Sequence, residues 1–273
     1  MPGQKTTVFH LTHVKSGSQW VAEILKHSAP ERFVPARARI GHVVDDPIRP
    51  GGVYPAVYLN RRDFESSVGE AAADKRAFFV LRDLRDTLVS LYFSLKLSHA
   101  VTNSFQSRLR KHLAGASEER GLLDLIDQET RGISMQEFLA LPVSAQFSWV
   151  ENHEAPAGWI AAQIADIQRS WVRTSILCIR YEDLIANEQE VFREIIEHCQ
   201  IGVAPATLHA IVHHNNFERA TGRRRGEEEP TSHLRKGVAG DWRNHFSERV
   251  KDEFKKTFGS LLIETGYERD LEW

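Results

Sequence analysis

Cysteine is scarce in this sequence, which has only Cys178 and Cys199 among its 273 residues. The two thiols lack the CxxC spacing of a zinc or redox motif, and two cysteines do not make a disulfide framework. Cys178 lies in a strand-like run and Cys199 near the end of a helix-like run. Both are therefore predicted to be small, buried apolar side chains.

The sequence also lacks a long apolar run, a strong net charge and a signal-peptide pattern. No apolar stretch approaches the length of a membrane span, and the first residues lead into a strand-like run without a signal-peptide pattern. The formal net charge of −2 disfavours general nucleic-acid binding. These absences predict a cytoplasmic protein that binds neither nucleic acid nor membrane, in which any basic site is a local patch.

Strand-like apolar runs alternate with helix-like runs along the chain. The pattern predicts strands at residues 8–11, 77–81 and 175–179, each followed by a turn and a helix, and a short strand at 39–44 inside a breaker-rich region, 30–55. We therefore expect an α/β fold, with a mostly parallel central sheet flanked by helices, in a single domain over residues 1–273.

Two further regions have a composition of their own. Residues 103–155 are polar and helix-prone and are predicted to form a helical insertion. Residues 218–236 are rich in glycine and charge and are predicted to form a mobile surface loop. A C-terminal helix follows, with Val250, Phe254 and Phe258 on its core face.

The stretch Lys15-Ser-Gly-Ser18 connects the first predicted strand to the first predicted helix. A strand that turns sharply into a helix presents backbone N–H groups and the positive end of the helix dipole, which together bind anions. A Walker loop requires the lysine after its last glycine, and here Lys15 precedes Gly17. A P-loop-like phosphate site is one interpretation, and a turn with a solvated lysine is the other.

Cationic residues follow the other predicted strands as well. Arg82 ends the second strand, and ligands in open α/β sheets bind beyond such carboxyl ends. Ser90, two helical turns further on, is either a partner of Arg82 on one anion or an ordinary surface serine. The alternative role of Arg82 is a structural ion pair with Asp86 or Glu182. Downstream, Leu234-Arg-Lys-Gly237 combines two cations with a glycine, which suits a phosphate, although a charged loop is the alternative.

Together these residues resemble the motifs of sulfotransferases that depend on PAPS, 3′-phosphoadenosine 5′-phosphosulfate. The family's first loop, Pro-Lys-Ser-Gly-Thr-Thr-Trp, stands here as Val14-Lys-Ser-Gly-Ser-Gln-Trp20. Its second motif is Arg82-Asp-Leu-Arg-Asp86 with Val89-Ser-Leu-Tyr92, and its Tyr-Glu-Asp-Leu turn is Tyr181-Glu-Asp-Leu184. Its C-terminal motif is matched from Arg235 to Phe246. The motifs follow the family's order, and the last one is the most specific.

The resemblance implies a role for each matched position. It implies transfer of a sulfuryl group to a hydroxyl or amine of a small-molecule acceptor without a metal, with PAP as the desulfonated product. Lys15 would also stabilise charge on the leaving oxygen. The implied ligands of the 5′-phosphosulfate are Lys15, Ser16, Gly17, Ser18 and Gln19. Those of the 3′-phosphate are Arg82, Ser90, Arg235, Lys236 and Gly237. Those of the adenine are Trp20, Tyr181 and Phe217.

The sequence departs from the family at the general base. Most soluble members take this base from a histidine about twenty residues before the second motif, where this chain has none; Asn60 falls closest and cannot act as a base. Asp63 and His99 are the candidates we carry forward, with Glu65 and His42 behind them. A base must reach the acceptor by hydrogen bond, which the sequence does not show.

Three alternatives remain open at this point. A P-loop kinase-like phosphotransferase would share the architecture but would bind ATP and need Mg²⁺. A sulfotransferase homologue that binds nucleotide but lacks activity is compatible with the missing histidine. Residues 246–258 either contribute to a homodimer contact, as resembling segments do in some relatives, or pack only in the core.

Overall fold

The structure is a computed structural model, and it describes residues 5–35, 48–68, 74–101, 103–129, 133–141, 145–146, 149 and 157–273. The strand predicted at 39–44, and His42 with it, lie outside these residues. The chain divides into two compact units. Unit 1 comprises Met1–Arg82 and Ser170–Arg225, and unit 2 comprises Asp83–Arg169 and Gly226–Trp273.

Unit 1 contains a four-stranded sheet in which every pairing is parallel, with the order β2–β1–β3–β4. Its strands are β1 (Thr7–Leu11), β2 (Val53–Val57), β3 (Lys75–Leu81) and β4 (Leu177–Arg180). All five residues of β1 are buried, as expected for a central strand covered by helices on both faces. The predicted α/β fold with a parallel sheet flanked by helices is confirmed.

Strand β2 was not predicted, because its surroundings are dense in proline and glycine. Pro55 lies inside it, and proline cannot donate a ladder hydrogen bond. Strand β2 lies at the end of the strand order, next to β1, and on its other side a single bridge joins Val53 to Phe33. Pro55 lies beyond that bridge on an edge strand, where proline is tolerated. Ala56 has a φ of 54°, and the register with β1 shifts between Phe9 and Leu11. The assignment of 30–55 to loops was therefore wrong for this edge strand.

The other edge strand, β4, is less buried than the sequence indicated. Of its four residues only Ile179 is buried, because one side of an edge strand has no neighbouring strand. Cys178 is exposed there, whereas Cys199 is buried, and burial raises the pKa of the Cys199 thiol to about 12. The prediction that both cysteines are buried holds for Cys199 and is wrong for Cys178.

Helices surround the sheet in unit 1 and make up most of unit 2. Those of unit 1 are α1 (Ser18–Ser28), α2 (Arg61–Val68), α8 (Tyr181–Ala186), α9 (Glu188–His198), α10 (Pro205–His214) and α11 (Phe217–Thr221). Those of unit 2 are α3 (Leu84–Phe93), α4 (Ser104–Gly115), α5 (Glu118–Ile126), α6 (Met135–Ala140) and α12 (Glu248–Glu264). The chain passes from unit 2 to unit 1 within α7 (Trp159–Val172).

Each unit has an apolar core that follows the periodicity of its sequence. In unit 1, Val8 and Phe78 of the sheet pack with Ile24 of α1 and Phe192 of α9. In unit 2, Val250, Phe254 and Phe258 of α12 are buried, as the sequence predicted. The described part of region 103–155 contains the helices α4, α5 and α6, and its status as an insertion stays a prediction.

One predicted turn differs in the structure, and one predicted loop differs at its start. Tyr181–Leu184 was interpreted as a turn but forms the first residues of α8. The segment 218–236 begins inside α11, and its Arg225 and Arg235 have carboxylate partners. None of the described helices is long and apolar enough to cross a membrane.

Candidate active site

The loop between β1 and α1 is held closed by its own small polar side chains. The Ser16 hydroxyl is buried, donates to the carbonyl of His13 at 2.7 Å and lies 2.5 Å from the Thr12 hydroxyl. Thr12 in turn donates to the Val80 carbonyl on β3 at 3.0 Å. Because the Ser16 side chain is turned into the loop, any bond from this residue to a ligand is expected from its backbone N–H.

Two left-handed residues shape the end of this loop. Lys15 has a φ of 67° and Gly17 a φ of 84°. A Cβ at Gly17 would lie 2.8 Å from Cε2 of Tyr181, so both the conformation and the close approach require glycine. Gly17 is the N-cap of α1, and no acidic residue occupies the first turn of that helix. The N–H groups of this turn lack intrahelical partners, which makes the helix start suitable for an anion.

Arg82 is buried at the end of β3 and supports the same loop. Its guanidinium donates to the Lys15 carbonyl at 2.8 Å and lies 4.4 Å from the ring centroid of Tyr181. Of the residues predicted to bind phosphate and adenine, Lys15, Gly17, Arg82 and Tyr181 are thus brought together within unit 1.

A second aromatic group in unit 1 is arranged around Arg225. The guanidinium lies 5.6 Å from the Trp20 ring and 5.7 Å from the Phe217 ring, and it pairs with Glu188. Trp20 is half-buried and packs edge-on against Phe192. Two of the three predicted adenine-contacting rings, Trp20 and Phe217, therefore share one cation. Sequence reasoning missed Arg225, although the run of three arginines at 223–225 was a visible signal.

In unit 2, the basic turn is made by Arg235, Lys236 and Gly237, the last with a φ of 67°. Both cations are neutralised by carboxylates of the same unit. Asp241 accepts from Arg235 at 2.5 Å and from Lys236 at 2.6 Å. Glu228 pairs with Arg235 and lies 3.5 Å from Lys236. In this structure the counter-ions of Arg235 and Lys236 are therefore side-chain carboxylates.

Hydrogen bonds control the charge of Asp241. Burial alone would raise the pKa of this carboxyl, but bonds from His245, Lys236, Asn244 and Arg235 outweigh burial and lower the pKa strongly. His245 shows the converse balance. Burial would lower the pKa of its imidazole, whereas bonds to Asp241 and Glu118 raise it.

Asp86 and Ser90 of α3 have different surroundings. Asp86 was predicted to stabilise the start of α3 by capping it or by interacting with the helix dipole. In the structure its carboxylate accepts hydrogen bonds from the backbone N–H groups of Gly240 at 2.6 Å and Trp242 at 2.9 Å. It therefore anchors the glycine turn of the C-terminal motif, while Asp83 caps the helix. Ser90 is half-buried near the end of α3, and its proposed bond to phosphate stays a prediction.

The candidate bases lie in local structures of their own. Asn60 caps α2 by accepting the N–H of Asp63 at 2.8 Å. Asp63 pairs with Arg62 at 3.0 Å, and Glu65 with Arg61 at 2.6 Å. His99, in unit 2, is exposed, and its carbonyl accepts from Arg110. These contacts account for the local structure of each residue, and a role as base stays a prediction for Asp63 and His99.

Tyr58 is a further residue at the loop that sequence reasoning did not select. Its hydroxyl lies 2.7 Å from the hydroxyl of Ser18 at the start of α1. No motif marks Tyr58, because the contact joins residues 40 positions apart through the pairing of β1 with β2.

Comparison with known proteins places this geometry in a family. A model of the Sulfotransferase domain matches residues 73–266. Mouse Sulfotransferase 2A6 is 23% identical over 279 residues, covering 93% of this chain and 83% of that protein. The crystal structure of mouse sulfotransferase SULT7A1 complexed with PAP covers 95% of this chain and 86% of that chain, with a TM-score of 0.58 and 15% identity. A retinol dehydratase crystallised with androsterone and PAP gives a TM-score of 0.47 at 14% identity, over 96% of this chain and 82% of that one. Because the domain model spans more than half of the sequence, the chain belongs to the sulfotransferase domain family.

Proposed function

We propose that this protein transfers the sulfuryl group of PAPS to a hydroxyl or amine of a small-molecule acceptor by in-line displacement. The observation that carries the proposal is the loop at the start of α1, where Lys15 and Gly17 are left-handed and no acidic residue opposes an anion. Family membership supports this chemistry, and SULT7A1, which shares the fold, was crystallised with PAP.

The loop residues fit the phosphosulfate end of the donor. Gly17, Ser18 and Gln19 would present the N–H groups at the helix start, and Ser16 would contribute its backbone N–H. Lys15 would place a positive charge near the oxygen on which negative charge develops as the sulfuryl group departs. Charge stabilisation of this kind by preorganised groups is a large term in catalysis.

The remaining implied contacts concern the nucleotide. We propose that Arg235, Lys236 and the N–H of Gly237, with Arg82 and Ser90, bind the 3′-phosphate. Two adjacent cations and a left-handed glycine support this role. We propose further that Trp20, Tyr181 and Phe217 contact the adenine, since aromatic faces pack against a planar base.

The decisive experiment compares Lys15→Ala with Lys26→Ala. The control removes an exposed lysine from the last turn of α1, the helix that follows the loop. Transfer from labelled PAPS is expected to fall by roughly 10²–10³-fold in Lys15→Ala and to stay near wild type in Lys26→Ala. Calorimetry should show binding of PAP that Lys236→Ala weakens. Undiminished transfer in Lys15→Ala would refute the role of the lysine, and binding of ATP-Mg²⁺ without PAP would refute the proposed function.

Location and assembly stay proposals from the sequence. We propose a cytoplasmic enzyme, and we leave the homodimer as the less supported alternative. Phe254 and Phe258 of the stretch in question are buried within unit 2, which favours core packing as their role. Light scattering at several concentrations would reveal a dimer if one forms.

A further inference from the structure

Tyr58 follows β2 directly and meets the loop that follows β1. Its phenol shares a 2.7 Å hydrogen bond with the Ser18 hydroxyl, and the side chain of Gln19 is a second partner. Because β1 and β2 are parallel neighbours, their carboxyl ends meet at one edge of the sheet, which is where ligands of such sheets bind. Tyr58 is half-buried, so part of the residue remains accessible to solvent.

We propose that Tyr58 receives the proton of the acceptor hydroxyl and relays it through Ser18. The proposal rests on the proposed function, and it answers a question which that function leaves open. The chain lacks the histidine expected for the base, and Asp63 is paired with Arg62 on its own helix. Among the described residues, Tyr58 is a titratable side chain with a direct hydrogen bond to the side chains of the loop.

The relay conserves protons and electrons. The acceptor oxygen forms its bond to sulfur while the bond from sulfur to the bridging oxygen breaks, and that electron pair stays with the 5′-phosphate of the leaving nucleotide. The acceptor proton moves to Oη of Tyr58, the phenolic proton moves to Oγ of Ser18, and the serine proton moves to an oxygen of the leaving phosphate. Both hydroxyl groups are therefore neutral before and after the step.

The electrostatics of the phenol suit a neutral relay. Burial raises the pKa of Tyr58, against the opposing effect of its hydrogen bonds with Ser18 and Gln19. The phenol therefore stays protonated at neutral pH and does not serve as an ionised base. Both hydrogen-bonding partners are neutral side chains, so the relay involves no charged intermediate on the protein.

Ionisable groups on the neighbouring stretches of chain must also be considered. They are His13 and Lys15 in the loop, Arg61, Arg62 and Asp63 at the start of α2, and Arg82 at the end of β3. Burial lowers the pKa of His13 to about 4, so this imidazole is neutral near pH 7. Of these groups, Asp63 is the one with a carboxyl side chain, so it is the rival proton acceptor.

The first test compares Tyr58→Phe with Tyr54→Phe. Tyr54 lies on β2 as well, but its hydroxyl accepts from the Arg49 N–H at 2.6 Å, away from the loop side chains. We expect Tyr58→Phe to lower kcat by roughly 10²-fold, the usual size of a proton-transfer contribution, with PAP affinity by calorimetry within a few-fold of wild type. Tyr54→Phe should keep the kcat of the wild type. A Tyr58→Phe enzyme with a kcat within twofold of wild type would overturn the proposal.

The second test distinguishes a relay from a structural role by its pH profile. Tyr58→His places a titratable imidazole at the same position. The rate of transfer should therefore recover relative to Tyr58→Phe, and it should fall on the acid side of about pH 6.5, where the imidazole is protonated. If Tyr58 has only a structural role, the pH profile of Tyr58→His should show no new limb. That result would contradict the relay. If the wild-type protein neither binds PAP nor transfers the sulfuryl group, the proposed function itself is refuted. The failure of the relay and the failure of the proposed function are therefore distinguishable.

Discussion

At the scale of single residues, the basic turn of unit 2 depends on its carboxylates as much as on its cations. Asp241 is nearly inaccessible to solvent and receives hydrogen bonds from Arg235 and Lys236. It therefore fixes the direction of both cations before any ligand arrives. Glu228 differs, because it is more exposed than Asp241 and belongs to the loop that precedes the turn. We interpret Asp241 as a positioning carboxylate and Glu228 as a replaceable counter-ion.

This difference predicts the effect of Glu228→Gln. The substitution removes an anion that competes with phosphate for Arg235 and Lys236, so the affinity for PAP should rise several-fold at low salt. Glu227→Gln is the control, since it removes the same charge from the adjacent position. Calorimetric titration with PAP at two salt concentrations measures both variants. Equal affinities in the two variants would show that only net charge matters.

At the scale of elements, the start of α1 is determined by the backbone more than by side chains. Gly17 ends the loop in a left-handed conformation and begins the helix. A Cβ added at Gly17 would lie 2.8 Å from Cε2 of the Tyr181 ring. A side chain here has two costs, the strained φ and the displacement of Tyr181, which in turn contacts Arg82.

Gly17→Ala and Gly222→Ala separate these two costs. Gly222 has a φ of 70° at the end of α11, and a Cβ there would meet no atom within 4 Å. Gly222→Ala should therefore lower the free energy of unfolding by about 1 kcal/mol from the conformation alone. Gly17→Ala should lower it further, by about 1–3 kcal/mol in total, and should also weaken PAP binding. Denaturant unfolding and calorimetry measure the two effects. Identical stability losses in both variants would exclude a role for the Tyr181 contact.

At the scale of the whole molecule, the charge network of the C-terminal motif links stability to pH. The pKa of His245 is raised in the folded state, so its contribution is fully present below the ordinary histidine pKa. That contribution is lost as the pH rises through the folded value. The pKa of Asp241 is lowered, so its contribution is present above the ordinary aspartate pKa and is lost in acid.

The consequence is a pH-dependent effect of His245→Gln. The variant should be less stable than wild type by about 1 kcal/mol near pH 6, a figure reduced because Glu118 is partly exposed. The difference should shrink as the pH rises through the raised pKa of the wild-type imidazole. Thermal unfolding over a series from slightly acidic to alkaline pH measures it, with the exposed His27→Gln as control. A difference that grows with pH would contradict the sign of the pKa shift.

Local patterns were enough to predict most of the elements. The apolar spacing predicted β1, β3 and the helices that follow them, because burial of one helix face follows a period near 3.6 residues. The sharp turn into α1 was predicted as well, since it depends on four consecutive residues, while the binding of an anion there stays a proposal. Strand β2 was missed, because Pro55 within it and the two glycines just before it obscured a pattern that pairing with β1 stabilises.

The sequence by itself determined the α/β class, the loop around Gly17 and the motifs of the family, all of which depend on residues close together in the chain. Tertiary structure alone decided which distant groups meet. It brought Tyr58 to Ser18, directed Asp86 to the turn at Gly240 and left the pair of cations at Arg235 with carboxylate partners. The physical reason is that hydrogen bonds and ion pairs depend on distances of a few ångströms, which the packing of strands and helices sets and the order of residues does not.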